Sequence, residues 1–117
     1  MSETPISPFS IQKTDRAIIA QPQIKLMADD QLKTLNQMIE QESSANIGIT
    51  HIILDLSMVK ILPSLALGLL VQMSNKCRAR QQKLILAALQ PQIRQVFSLT
   101  RLDRLFEFAP SVESALQ

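Results

Sequence analysis

Tryptophan and tyrosine are absent from this 117-residue chain, and its aromatics are four phenylalanines. The ring platforms on which bases stack are therefore missing, and nucleic acid is not an expected partner. The core has to be built from Leu, Ile, Val, Ala and Met, with Phe as its largest pieces. The single cysteine, Cys77, excludes an internal disulfide and fits a reducing compartment. It sits on an apolar helical stripe and reads as packed and inert. The single histidine, His51, has no second His or Cys at ligand spacing, so neither a metal nor another cofactor is expected. Long apolar runs are also missing. The longest, Ile61 to Val71, is interrupted by Ser64 and has about half the ~20 residues a membrane span requires. Met1 to Ser10 is polar and Pro-containing rather than basic then apolar, unlike a secretory signal. A cytoplasmic protein without direct membrane insertion is expected.

What is present suits one small domain. Hydrophobic residues make up 46% of the chain, enough for one core at this length. The net charge of +2 is unevenly placed: residues 1–50 carry four basic and six acidic side chains, residues 51–117 eight basic and four acidic. Arg78, Arg80, Lys83, Arg94, Arg101 and Arg104 fall late and read either as an ordinary solvated surface or as a patch for phosphate or an acidic protein.

Residues 1–8 read as a flexible tail and 9–117 as the domain. Phe9 to Lys13 and Arg16 to Gln21 flank Thr14-Asp15 as in a β-hairpin. Leu32, Leu35, Met38 and Ile39 then follow helical spacing, with Asp29 or Asp30 placed to cap the start. His51 to Leu56 and Lys83 to Leu89 are apolar runs of the kind buried parallel strands show. Between them, Pro63 disfavours helix before itself, and Ser64 is a natural N-cap for a helix over Leu65 to Arg80. That helix turns Ala66, Leu69, Leu70, Met73 and Cys77 one way and Leu65, Gly68, Gln72 and Lys76 another. Pro91 opens a further helix through Leu99, Leu105 to Phe108 reads as a last strand, and Pro110 to Gln117 as a terminal helix. Strands alternating with helices predict right-handed crossovers and a mixed, mainly parallel α/β sheet whose first hairpin strand is antiparallel. Sites in such sheets lie at the carboxyl ends of strands, which points to Ser57 to Ser64. Asp55 at that strand end has no His, Lys or second carboxylate beside it in the segment, so catalysis is not expected.

The run Ile52-Ile-Leu-Asp-Leu-Ser-Met-Val-Lys-Ile-Leu-Pro-Ser-Leu-Ala-Leu-Gly-Leu-Leu70 is a buried strand, a connector and a serine opening an apolar helix. Here the chain resembles the STAS, or anti-sigma-factor antagonist, family: a strand ending in Asp-Leu, a connector, Asp-Ser-Ser/Thr-Gly-Leu-Gly, then an amphipathic helix. Arg78 to Leu86, Pro91 to Leu99 and Leu105-Phe-Glu-Phe108 match its later elements. The resemblance implies a STAS-type, mainly parallel four- to five-stranded sheet with about four helices.

It also implies a non-enzymatic regulator that binds an anti-sigma-factor kinase or related switch protein, releasing a sequestered sigma factor. Ser64 occupies the position that the family's kinases phosphorylate to switch binding off. Pro63, Leu65 and Ala66 replace the family's acidic residue, second hydroxyl and glycine, Gly68 matches, and Lys25 stands where an aligned segment carries an acid. Pro63, Leu65, Ala66, Gly68 and Lys25 are the candidate partner-binding positions, and self-association stays open. The lost acids suit an alternative within the same fold, an unphosphorylated subunit of a signalling scaffold or of a lipid-transport ABC complex. Unpaired N–H groups at the helix start also fit an anion or nucleotide, although there is no glycine-rich phosphate loop.

Overall fold

The computed structural model describes residues 8–117, and its first turn is set by Thr14, whose hydroxyl accepts from the Ala17 N–H at 3.0 Å. The turn joins β1 (Phe9–Lys13) to β2 (Ala17–Pro22) as an antiparallel pair in which Ile11 faces Ala20. Of the expected tail, residues 1–7 lie outside the described residues. Pro8 is tied down, its carbonyl accepting from the Gln23 N–H at 2.6 Å.

After β2 the chain runs through α1 (Asp29–Ala45), β3 (His51–Asp55), α2 (Ser64–Ala79), β4 (Lys83–Ala87) and α3 (Pro91–Leu99). A 3₁₀ turn (Leu102–Leu105), β5 (Glu107–Ala109) and α4 (Val112–Leu116) complete it. The five strands lie in sequence order, with β2, β3, β4 and β5 mutually parallel. This is the expected mixed, mainly parallel sheet with four helices.

Strand periodicity divides the side chains between two layers. Ile18, Ala20, Ile52, Leu54, Leu84 and Leu86 form one cluster with Leu32, Leu35 and Ile39 of α1, Leu70 and Met73 of α2, and Ile93 and Phe97 of α3. On the other face Ala17, Ile53, Ile85 and Ala87 pack with Ala115 of the short α4. Both faces of β3 and β4 are thus covered, which is why those strands read as unbroken apolar runs rather than alternating ones.

Some termini differ from expectation. The α1 cap is Ala28, not an aspartate: its carbonyl accepts from the Leu32 N–H at 3.1 Å, and its own N–H donates to Gln31 Oε1 at 2.9 Å. Asp29 and Asp30 lie one step further in, where their charge favours the positive end of the helix. The last strand begins at Glu107 because Arg101, in the left-handed region at φ 62°, ends α3 and leads into the 3₁₀ turn.

Phe97, fully buried, meets Phe106 and Phe108 edge-to-face at centroid distances of 5.3 and 5.5 Å. Truncation there removes the largest piece of the core. Phe97→Ala is expected to lower unfolding stability by about 3–5 kcal/mol in urea titration. A loss below about 1 kcal/mol would show that the C-terminal segment is not packed as described.

Candidate functional site

Three strand ends and a connector converge at the carboxyl edge of the sheet. Asp55 closes β3 with both carboxylate oxygens engaged: Oδ1 accepts from the Ser57 N–H at 3.0 Å, and Oδ2 from Gln21 Nε2 of β2 at 3.1 Å. The Ser57 carbonyl in turn accepts from Gln90 Nε2 at 2.7 Å, just before α3. The start of the connector is therefore held between β2 and the β4–α3 loop. Asp55, weighed above as a lone carboxylate, acts here as a clamp.

The end of the connector is held by backbone hydrogen bonds and by Val59 and Leu62, which are buried in the core. The Lys25 carbonyl accepts from the N–H groups of Lys60 and Ile61 at 2.7 and 2.9 Å, and the Met27 N–H donates to the Ile61 carbonyl at 3.1 Å. These bonds pair Leu26 with Ile61 in a short parallel bridge. Lys25 is thereby brought to the segment that leads into Ser64, with its side chain exposed.

Pro63, extended at φ −65° and ψ 161°, is the N-cap of α2, and its carbonyl accepts from the Leu67 N–H at 3.2 Å. This corrects the expectation that Ser64 caps the helix. Ser64 is its first helical residue, exposed, and no side chain caps this end. The N–H groups of Ser64, Leu65 and Ala66 precede the first intrahelical bond, and no acidic residue occupies the first turn. Leu65 is 72% exposed and Gly68 is exposed, with nothing within 4 Å of where a Cβ would stand. Ala66, expected on the same contact surface, is instead fully buried, because it turns inward with Leu67 and Leu70. No direct contact by Ala66 is available to a partner.

Sequence reasoning missed that Leu65 has apolar company. Leu26, Met58 and Ile61 are also substantially exposed, Ile61 by 53%, and lie in the connector and its bridge partner. The bridge joins residues far apart in sequence, so no local periodicity announces it. Exposed Lys25 and Lys60 flank the patch. Exposed apolar side chains interspersed with basic ones along a connector and a helix start are suited to protein contact.

The other singled-out residues lie elsewhere. His51 sits at the opposite end of β3, its Nδ1 2.8 Å from the Thr50 hydroxyl. Cys77 is buried on α2, and that burial raises its thiol pKa above the ordinary 9.0, against a smaller opposing effect of Arg80. The late basic residues do not form one patch: Arg80 faces Glu40 at 3.6 Å and Arg94 stacks over Phe108 at 3.6 Å.

Two measurements check this geometry. Asp55→Ala leaves the Ser57 N–H without its acceptor and is expected to destabilise the fold by about 1–2 kcal/mol in chemical denaturation. A change below about 0.3 kcal/mol would mean that the clamp is not closed. For Cys77 the folded thiol stays neutral where the unfolded thiol ionises. Its contribution is therefore complete below pH 9.0 and is lost as pH rises toward the raised folded value. Stability above pH 9.0 should fall more steeply in the parent chain than in Cys77→Ala, and parallel curves would contradict this.

The family model of the STAS domain matches residues 11–115. Among solved structures, an anti-sigma factor antagonist from Mycobacterium paratuberculosis superposes with a TM-score of 0.73 at 22% identity, covering 92% of this chain and 89% of that one. The unphosphorylated anti-sigma factor antagonist SpoIIAA, from Bacillus, gives 0.74 at 17% identity, covering 92% of each chain. A murine solute carrier 26 family anion transporter also matches, with a TM-score of 0.75 at 14% identity over 90% of this chain and 18% of that one. These likenesses show the fold; a match over nearly the whole length to the family model shows that the chain belongs to the STAS domain family.

Proposed function

We propose that this protein is a regulatory adaptor of the anti-sigma-factor antagonist kind, binding an anti-sigma kinase or a related switch protein through the edge from Pro63 to Gly68. The observation that carries the reading is exposed Ser64 at the first position of α2, followed by exposed Leu65 and preceded in the connector by exposed Ile61. Docking buries Leu65, Ile61, Met58 and Leu26, and Lys25 and Lys60 favour a partner with an acidic margin.

Phosphorylation of Ser64 acts on this surface in two ways. The phosphoryl group carries about −1.5 to −2 charges, and the free N–H groups and dipole of the first turn favour it there. The same charge next to exposed Leu65 opposes its desolvation against a partner. The clamp at Asp55 keeps the connector in place, so the switch works through charge and hydration at a fixed shape. In that role Asp55 is structural and the protein has no catalytic task. SpoIIAA has been solved in phosphorylated and unphosphorylated forms.

A second reading is favoured by the chemistry of the same edge. Pro63 and Lys25 leave it without the carboxylates the family's kinases dock against, and its apolar patch suits permanent assembly. On that reading the chain is a standing subunit of a signalling scaffold or of a lipid-transport ABC complex, and Ser64 is not modified.

Calorimetric titration with the histidine-kinase-like anti-sigma protein of the same genome separates them. The adaptor reading expects binding that is kept in Ser64→Ala and weakened at least tenfold in Ser64→Glu and in Leu65→Asp. Absence of binding, with Ser64 unmodified by mass in native cells and co-purification with a transporter ATPase or large scaffold, would overturn it for the second reading.

A further inference from the structure

The geometry points to a second binding site, for a phosphate-class oxyanion, in a cleft of about 300 Å³ at the far end of α2 from Ser64. Arg78 of the last turn of α2, Lys83 opening β4 and Arg104 of the 3₁₀ turn line it together, with Ser74, Phe106 and Glu107. At 1.5 Å per residue, Arg78 lies about 20 Å along the helix from Ser64, so the two sites do not overlap.

Basic residues at a helix C-terminus ordinarily answer the dipole and its carbonyls. Here the backbone already does so: the Arg80 N–H donates to the Lys76 and Cys77 carbonyls, the Gln81 N–H to that of Arg78 and the Gln82 N–H to that of Cys77. Neighbouring cations have partners of their own, since Lys76 and Arg80 share Glu40 and Arg94 stacks on Phe108. Arg78 and Arg104 have no carboxylate within salt-bridge distance among the described residues. Among the described residues the cleft's only acid is Glu107, which stands 3.7 Å from Lys83 in an exposed pair of little strength.

Three cations from three elements thus share one concavity against one carboxylate. An anion seated there is attracted by all three. Two guanidinium forks suit an oxyanion, because each can donate twice to it. The cleft is held in shape by the Ser74 hydroxyl donating to the Leu105 carbonyl at 3.4 Å and by buried Phe106. Its volume is at the small end of ligand sites, sufficient for phosphate or a small phosphomonoester.

The test is a ¹H–¹⁵N titration of the intact chain with sodium phosphate and, separately, with glycerol phosphate, at ionic strength fixed by sodium chloride. Saturable shifts are expected at the amides of Ser74, Lys83 and Arg104 to Glu107, with a rise in Tm. Affinity should fall at least tenfold in Arg104→Gln and in Arg78→Gln, and stay unchanged in Arg16→Gln in the first hairpin. Equal affinity for the two probes assigns the free anion, and tighter glycerol phosphate assigns an ester; both support the site. Absence of saturation, equal shifts in chloride alone, shifts centred on Ser64 to Ala66, or retention of binding in both cleft variants would overturn it.

Discussion

Ile52, Ile53 and Leu54 of β3 are all removed from solvent, and this two-sided burial of three consecutive residues is the constraint around which the chain is arranged. A strand buried on both faces needs a covering layer on each. Helices α1, α2 and α3 supply the first through long apolar side chains. The second comes from α4, five residues long, and small side chains such as Ala17, Ala87 and Ala115 let so short a helix sit close enough. Parallel pairing then makes every connection after β2 cross from one end of the sheet to the other, and the connector after β3 must emerge at the carboxyl edge beside the loop after β2.

That edge combines rigidity with exposure. Its polar side chains, Gln21, Asp55 and Gln90, point at the connector and hold it, while its apolar ones, Leu26, Met58, Ile61 and Leu65, point away from the core. The inversion is uneconomical for an isolated domain and reasonable for one that spends its working life against another protein. The same fold inside a membrane anion transporter shows that the sheet alone does not fix the task.

Much of the architecture was legible because the core faces are long and periodic. Leu32, Leu35 and Ile39 announce α1, and the apolar runs of β3 and β4 announce buried parallel strands. What escaped reading depended on single hydrogen bonds or distant pairing. The α2 cap falls at Pro63 rather than Ser64 because the proline carbonyl already accepts the first helical bond. Gln31, reaching back to the Ala28 N–H, is half of a reciprocal cap that lacks its hydroxyl, so no serine or aspartate signal marks it. Ala66 was placed on the contact surface by its neighbours in sequence, but the turn of the helix carries it inside. The patch around Leu65 stayed hidden because Leu26 and Ile61 meet only through the fold.

The bridge between Leu26 and Ile61 is made entirely of peptide groups, with no side chain in any of its bonds. Every amino acid except proline carries the same N–H and C=O, so residues at positions 25, 26, 60 and 61 can be exchanged while the loop keeps its course. Shape and identity are uncoupled along this part of the carboxyl edge. The surface chemistry of this edge can therefore change by substitution while the scaffold beneath it is kept.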